Sequence, residues 1–195
     1  MSKVAVITGA ARGIGLATSE KFLSEGWRVA MLDIDGATQD KAYQALKDRK
    51  NAISIRCDVS NSQKVNAAAN QIKNTFGRVD TLINNAGIAV FKPVMETSFE
   101  EWTSVMETNL SGPFICTQAF VPIMLAGGGG NIVNITSISG VRASTLRVAY
   151  GTSKAALMHL TKQLAAELGT VGVRVNAVSP GPVDTAMAQK VHTPD

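Results

Sequence analysis

A chain of 195 residues, 45% hydrophobic and 17% charged, carries enough apolar material for one domain with a sizeable core. Its net charge of +4 comes from scattered rather than clustered lysines and arginines, which argues against a nucleic-acid or anionic-membrane surface. Two cysteines, Cys57 and Cys116, lack metal-site spacing; they read as buried free thiols of a reducing compartment, and no metal site is expected.

Lys3 to Thr8 (KVAVIT) is short, apolar and β-branched, as a strand buried on both faces requires, and it leaves no room for a signal peptide. Gly13 to Glu25 follows a helical period, with Ile14, Ala17, Phe22 and Leu23 available for a buried face. Arg28 to Leu32 is a second strand ending at Asp33, and Ala37 to Leu46 is helical. Ala52 to Cys57 is a third strand with Asp58 at its end; Asn61 to Phe76 is a helix closed by Gly77. Asp80 to Ile83 is a short fourth strand. Phe99 to Leu125 reads as one long helix, ended by Gly127 to Gly130. Asn131 to Thr136 is a fifth strand, and Ala149 to Leu168 a helix with Leu157, Leu160, Leu164 and Leu168 as its apolar stripe. Val173 to Val178 is a sixth strand. No unbroken apolar run reaches the roughly 18 residues of a membrane span, so a cytoplasmic protein is expected. The alternation implies right-handed crossovers and an α/β parallel sheet with helices on both faces, in a single domain over residues 1–195. The segments Gly87 to Ser98 and Ser137 to Val148 break the rhythm, each after a strand end, where open parallel sheets place ligands.

The first strand runs into Thr8-Gly9-Ala10-Ala11-Arg12-Gly13-Ile14-Gly15. Glycine belongs where a backbone turns tightly or approaches a pyrophosphate, and a helix starting near Gly13 aims its free N–H groups and positive dipole end at phosphate. Asp33, 18 residues after Gly15, can accept both ribose hydroxyls of an adenosine. Like charges at ~4 Å repel by ~1 kcal/mol even in water, so a doubly charged 2′-phosphate beside Asp33 loses roughly 2 kcal/mol. Arg12 pulls the other way but is half solvated, so NAD(H) is expected over NADP(H). The plain structural alternative for Asp33 is a cap for the helix after Gly36. Asp58 and Val59 are placed to border the adenine. The small residues of Asn84-Asn85-Ala86-Gly87 allow close approach of a cofactor, although the Asn84 amide serves equally well to satisfy loop backbone.

Tyr150 and Lys154, spaced i, i+4 on a helix, project from one face. Hydride transfer to a carbonyl needs a proton donor at the oxygen, and the reverse needs a base. Free tyrosine is a poor base at neutrality. A lysine ~5–6 Å away at an effective dielectric of ~20 favours the phenolate by about 3 kcal/mol. Alone, this pair is a common surface pattern.

The combined pattern resembles the short-chain dehydrogenase/reductase family, in its smaller single-domain branch. The resemblance is carried by Thr8-Gly-x-x-x-Gly-Ile-Gly15, Asn84-Asn-Ala-Gly87, Asn109, Ser137, Tyr150-x-x-x-Lys154 and Pro180-Gly181, in the family's order over residues 3 to 187. It implies a Rossmann-type doubly wound sheet. Gly9, Arg12, Gly13, Ile14, Gly15, Asn85, Ala86 and Gly87 would then hold the cofactor. Tyr150 would be the general acid/base, and Lys154 would bind the nicotinamide ribose and assist the tyrosine. Ser137 would hydrogen-bond the substrate oxygen. Asn109 would hold a water that continues a proton path from Lys154, its plain alternative being a helix kink. Pro180, Gly181 and Val183 would lie along the nicotinamide, and Thr185 would hold its carboxamide. Arg142 and Arg147, near the substrate mouth, read as solvated loop arginines rather than an anion site. His159 and His192 match no family role, and Met158 reads as core.

The resemblance further implies a homo-oligomer, dimer or tetramer, packed through the helices of Phe99 to Leu125 and Ala149 to Leu168. It also implies a seventh strand, further helix and a substrate lid beyond Asp195. The sequence is expected to be part of a longer chain, since Val178 would otherwise end an unmanaged sheet edge. The expected activity is interconversion of a secondary alcohol and a ketone with NAD(H), the substrate being a 3-oxoacyl thioester, a sugar or polyol, or a hydroxysteroid-like alcohol. The alternatives are a 3-oxoacyl-[acyl-carrier-protein] reductase using NADPH, against which Asp33 argues, and a catalytically silent cofactor-binding regulator, against which the complete tyrosine, lysine, serine and asparagine set argues. A sugar-nucleotide epimerase shares the tyrosine–lysine logic but has a tighter glycine loop.

Overall fold

Apolar runs of four to six residues, too short for helices, become strands, and those in the middle of the sheet are buried on both faces. The computed structural model describes residues 2–185. In chain order it contains β1 (Val4–Thr8), α1 (Gly13–Ser24), β2 (Arg28–Asp33), α2 (Gly36–Ala45), β3 (Ala52–Arg56), α3 (Ser62–Phe76) and β4 (Thr81–Asn84). These are followed by α4 (Phe99–Met106), α5 (Gly112–Ala126), β5 (Gly130–Ile135), α6 (Val148–Leu168) and β6 (Val173–Val178). The six strands form one parallel sheet in the order β3-β2-β1-β4-β5-β6. This is the expected doubly wound architecture. The order reverses between β1 and β4, and the crevice at their carboxyl ends is where such sheets bind ligands.

Alternate residues of β1 feed two cores. Val4 and Val6, with Leu82 and Ile132, meet Ile72 and Phe76 of α3 and Phe120 and Met124 of α5. Ala5 and Ile7, with Met31, meet Leu23 of α1. On this second face Val133 and Ile135 of β5 are only partly buried. By length and composition alone the stretch Phe99–Ala126 is long and apolar enough to cross a membrane. In the fold, α5 lays Cys116, Phe120 and Met124 against the sheet without exposure, as a core helix does.

Four details differ from the sequence reading. The expected helix over Phe99 to Leu125 runs unbroken to Ala126 but widens into a π turn at Glu107–Ser111. The cause is local: Pro113 has no N–H, so the Asn109 carbonyl four residues back lacks its ordinary helical donor. In α1 the buried face is Gly15, Ser19 and Leu23, while Ala17 is exposed. The helix lies so close to the loop before it that a Cβ on Gly15 would overlap the Gly9 carbonyl, and only small residues fit there. In α6 only Leu157 of the apolar stripe is fully buried; the rest of that face is Ala149, Ser153, Lys154 and Thr161, which follow the same period but are mostly polar. Met158 is half-buried in a groove between α6 and β6 beside Lys162 and Val175, because nothing among the described residues covers that side of β6.

Gly15→Ala is therefore expected to destabilise the fold by about 1–3 kcal/mol through overpacking. Gly169→Ala, at a helical position where an added Cβ meets open space, should be neutral or slightly stabilising. Urea midpoints of the two variants check this, and equal midpoints would refute the close approach of α1 to its loop.

Candidate active site

The α1 N-terminus is the cradle for an anion. Its N-cap, Arg12, makes no side-chain cap, and its first turn carries no acidic residue. By comparison, α2, α3 and α4 are capped by Asp35, Asn61 and Ser98, whereas α6, behind Arg147, also lacks a side-chain cap. A helix end left uncapped in a crevice, with its positive dipole end outward, fits a pyrophosphate. Gly9 turns the chain there with φ +65°, and a Cβ on it would lie 2.9 Å from the Ala86 Cα. Around it, the Asn85 side chain donates to the carbonyls of Thr8 (2.9 Å) and Gly9 (3.0 Å). The Thr8 hydroxyl accepts the N–H groups of Asn85 and Ala86, each at 3.0 Å. These bonds stitch β1 to β4 where the strand order reverses. The residues therefore fit a dinucleotide.

Asp33 does not cap α2. Its Oδ2 accepts the Ala11 N–H and its Oδ1 the Asp35 N–H, both at 3.0 Å, which ties the glycine loop to the turn after β2. The cap is Asp35, whose carboxylate accepts the Thr38 N–H (3.1 Å) and hydroxyl (2.7 Å) and pairs with Arg12 at 2.8 Å. The Thr38 bonds, with Arg12 beside them, hold the Asp35 carboxyl below the usual carboxylate range. The sequence reading missed Asp35, although an aspartate directly before Gly36 and a helical pattern is an N-cap signal. Asp58 closes a local turn, accepting the N–H (3.0 Å) and hydroxyl (2.7 Å) of Ser60. The Val59 side chain packs beside Gly112 at the start of α5 rather than facing the crevice.

At the other end, α6 carries Tyr150 half-buried and Lys154 with 4% exposure. The Lys154 Nζ donates to the Ile135 carbonyl at the end of β5 (2.7 Å) and lies 5.8 Å from the centre of the Tyr150 ring. Burial pushes the ammonium down to about 8. Asn109, fully buried in the π turn, clamps the loop after β4: its Oδ1 accepts the Ile88 N–H and its Nδ2 donates to the Ile88 carbonyl, both at 2.9 Å, and to the Ser153 hydroxyl at 3.0 Å. A Cβ on Gly87 would come within 3.2 Å of the Asn109 Oδ1 and 3.4 Å of the Lys154 Nζ, so both atoms border one point. What remains of Asn109 for a water is one Oδ1 lone pair and the main-chain carbonyl that Pro113 leaves without its usual donor.

Ser137 is 8% exposed and its hydroxyl accepts the Ser139 N–H at 3.1 Å. The turn that follows presses on α6, where a Cβ on Gly140 would stand 2.8 Å from the Lys154 carbonyl carbon. The Ile138 N–H donates to the Pro180 carbonyl (3.0 Å), and Thr185 lies beside Gly13. The strip containing Gly181 and Val183 thus crosses from the tyrosine end of the crevice to the glycine loop.

Several neighbours escaped the sequence reading. Phe91 sits 6.3 Å from the Tyr150 ring, centre to centre. Arg147 is not a solvated loop arginine: its guanidinium stacks 5.5 Å from the Phe91 ring and donates to the Ser139 hydroxyl at 3.3 Å. Arg142 is exposed, as expected. The Asn84 side chain does not satisfy the loop backbone. It donates to the Asn134 side chain (2.8 Å), which donates to the Thr161 hydroxyl (2.9 Å), a buried polar bridge from β4 through β5 to α6. His159 pairs with Gln163 on the exposed side of α6. His192 lies outside the described residues.

Comparisons with known proteins agree with this fold. The sequence model of the short chain dehydrogenase family matches residues 3–195. The D-threitol dehydrogenase of Mycolicibacterium smegmatis is 41% identical over 96% of this chain and 73% of its own length. The 2-(R)-hydroxypropyl-CoM dehydrogenase of Xanthobacter autotrophicus is 40% identical over 97% of this chain and 78% of its own. The crystal structure of gox2181 superposes with a TM-score of 0.93 at 34% identity, covering 97% of this chain and 75% of that one.

A lysine that titrates near 8 in the fold and near 10.5 when unfolded penalises folding fully below pH 8, and the penalty is relieved as pH rises between those values. Lys154→Met should therefore be more heat-stable than wild type near pH 7, by up to about 3 kcal/mol. The gap should narrow above pH 8. Melting temperatures across pH test it; a gap that does not change with pH would contradict a charged, desolvated Lys154.

Proposed function

The chain belongs to the short-chain dehydrogenase family and is a pyridine-nucleotide oxidoreductase; from that premise we propose that it interconverts a secondary alcohol and a ketone with NAD(H). One observation carries the reading: a buried ammonium beside the Tyr150 ring, at the carboxyl end of the central strands. When bound, the nicotinamide cofactor supplies or accepts the hydride at the carbinol carbon.

The chain's own residues handle the proton. The Tyr150 hydroxyl gives a proton to the carbonyl oxygen in reduction and takes it back in oxidation. A positive Lys154 at ~6 Å favours the phenolate by about 3 kcal/mol at an effective dielectric of ~20. Its two remaining N–H groups are suited to the ribose hydroxyls of the nicotinamide side. The Ser137 hydroxyl donates to the same substrate oxygen, which gains charge as the hydride arrives. A water at Asn109 links Lys154 to solvent. Gly9, Arg12, Gly13, Ile14 and Gly15 hold the pyrophosphate, and Asn85, Ala86 and Gly87 line the centre of the crevice. Asp58 and the main chain of Val59 border the adenine. Pro180, Gly181 and Val183 lie along the nicotinamide, with Thr185 at its carboxamide. Asp33 selects NAD(H), supported by the repulsion of its buried carboxylate toward a 2′-phosphate.

A cytoplasmic homo-oligomer, dimer or tetramer, belongs to the same proposal. Phe99 of α4 (77% exposed) and Phe114 of α5 (44%) give a second copy apolar surface to cover. The two buried free thiols, Cys57 and Cys116, suit a reducing compartment.

NADH is expected to bind at least about tenfold tighter than NADPH. Tyr150→Phe should keep NADH binding while turnover on any accepted alcohol falls by about 100-fold or more. An active Tyr150→Phe enzyme would sink the proton-transfer role. Lys154→Ala should weaken NADH binding and move the pH optimum for oxidation upward; an unchanged profile would refute the charge assistance.

A further inference from the structure

The glycine loop carries one basic residue, Arg12, and its guanidinium sits 2.8 Å from Asp35, at the turn whose other aspartate, Asp33, marks the adenosine ribose site. We propose that Asp35 is a second determinant of cofactor choice, holding Arg12 against the turn after β2 and so denying a 2′-phosphate the one cation of the loop. The inference rests on the NAD(H) reading above and deepens it.

Asp35 is the fixed partner. Its carboxylate caps α2 through the Thr38 N–H and hydroxyl, and its own N–H is held by Asp33. Arg12 is the mobile one, a long side chain with 59% of its surface exposed. A cation free in this position would meet a 2′-phosphate with charge-assisted, forked hydrogen bonds. Paired with Asp35, it presents a neutralised guanidinium and brings a second carboxylate to the same end of the crevice. Asp33 does not take this part, because its two oxygens accept the N–H groups of Ala11 and Asp35. The other cation at this turn, Arg56 of β3, donates its Nε to the Ile34 carbonyl at 3.2 Å and lays its stem along Gly36. An exposed ion pair holds weakly. The latch therefore acts through where Arg12 is kept, and removing the Asp35 charge is enough to release it.

The test is the dissociation constants of NADH and NADPH, read from nicotinamide fluorescence without any turnover, for wild type, Asp35→Asn, Arg12→Ala and the double variant. Asparagine caps a helix as well as aspartate, so α2 should stay intact, and unchanged melting temperatures would confirm it. Asp35→Asn is expected to tighten NADPH binding about fivefold and to change NADH binding by less than about twofold. In the Arg12→Ala background the same substitution should move NADPH binding by less than about twofold. An equal gain with and without Arg12 would reduce Asp35 to simple repulsion and overturn the latch. No gain at all, in a wild type that prefers NADH, would overturn the latch and leave the role of Asp33 standing. A wild type that prefers NADPH would overturn both.

Discussion

An ammonium group shut away from water at the end of β5 constrains everything around it. Lys154 is 4% exposed and, among the described residues, makes one hydrogen bond, to the Ile135 carbonyl. Burying a charge with so few partners is unfavourable, and the fall of its pKa to about 8 expresses that cost. The surroundings hold the side chain there. Gly140 lets the turn after β5 lie against the α6 backbone, and the Asn84–Asn134–Thr161 bridge fixes the height of α6 on the sheet. The π turn brings the Asn109 amide to Ile88 and Ser153 and so closes the loop after β4 over the same point.

The other end of the crevice is built on the opposite logic, by leaving groups unmet. Side chains cap α2, α3 and α4, but none caps α1 or α6. The free N–H groups of α1 face the gap where the strand order reverses, and the Thr8–Asn85 bonds keep β1 and β4 together beneath it. A charge that needs company and a helix end that needs an anion thus stand in one crevice, joined by the strip from Pro180 to Thr185. In the proposed reading a dinucleotide would satisfy both, with phosphate at one end and ribose hydroxyls at the other.

The six strands and the tyrosine–lysine helix are legible in the sequence because the central strands carry short apolar runs, the strand Val173–Val178 alternates apolar and polar residues, and i, i+4 spacing dictates a shared face. The strand limits fall within one or two residues of those read from Val4–Thr8, Arg28–Asp33 and their successors. What escapes is what depends on partners distant in the chain. The apolar period of Phe99 to Leu125 continues through the π turn, so periodicity alone shows the helix but not the turn; Pro113 is the local signal of it. Phe91 and Arg147 come together across 56 residues, through a loop whose sequence has no period to read. The place of Asp33 was legible, but its bonds to Ala11 and Asp35, and the pairing of Arg12 with Asp35, depend on how two loops meet.

The most direct measurement follows the hydrogen itself. Secondary alcohols and vicinal diols carrying deuterium at the carbinol carbon are incubated with the protein and NAD⁺, and the reduced cofactor is isolated and weighed by mass spectrometry. One deuterium per molecule of reduced cofactor is expected, with none released to water. Unlabelled reduced cofactor, or deuterium lost to solvent, would contradict direct hydride transfer from the alcohol carbon and with it the role given to Tyr150 and Lys154.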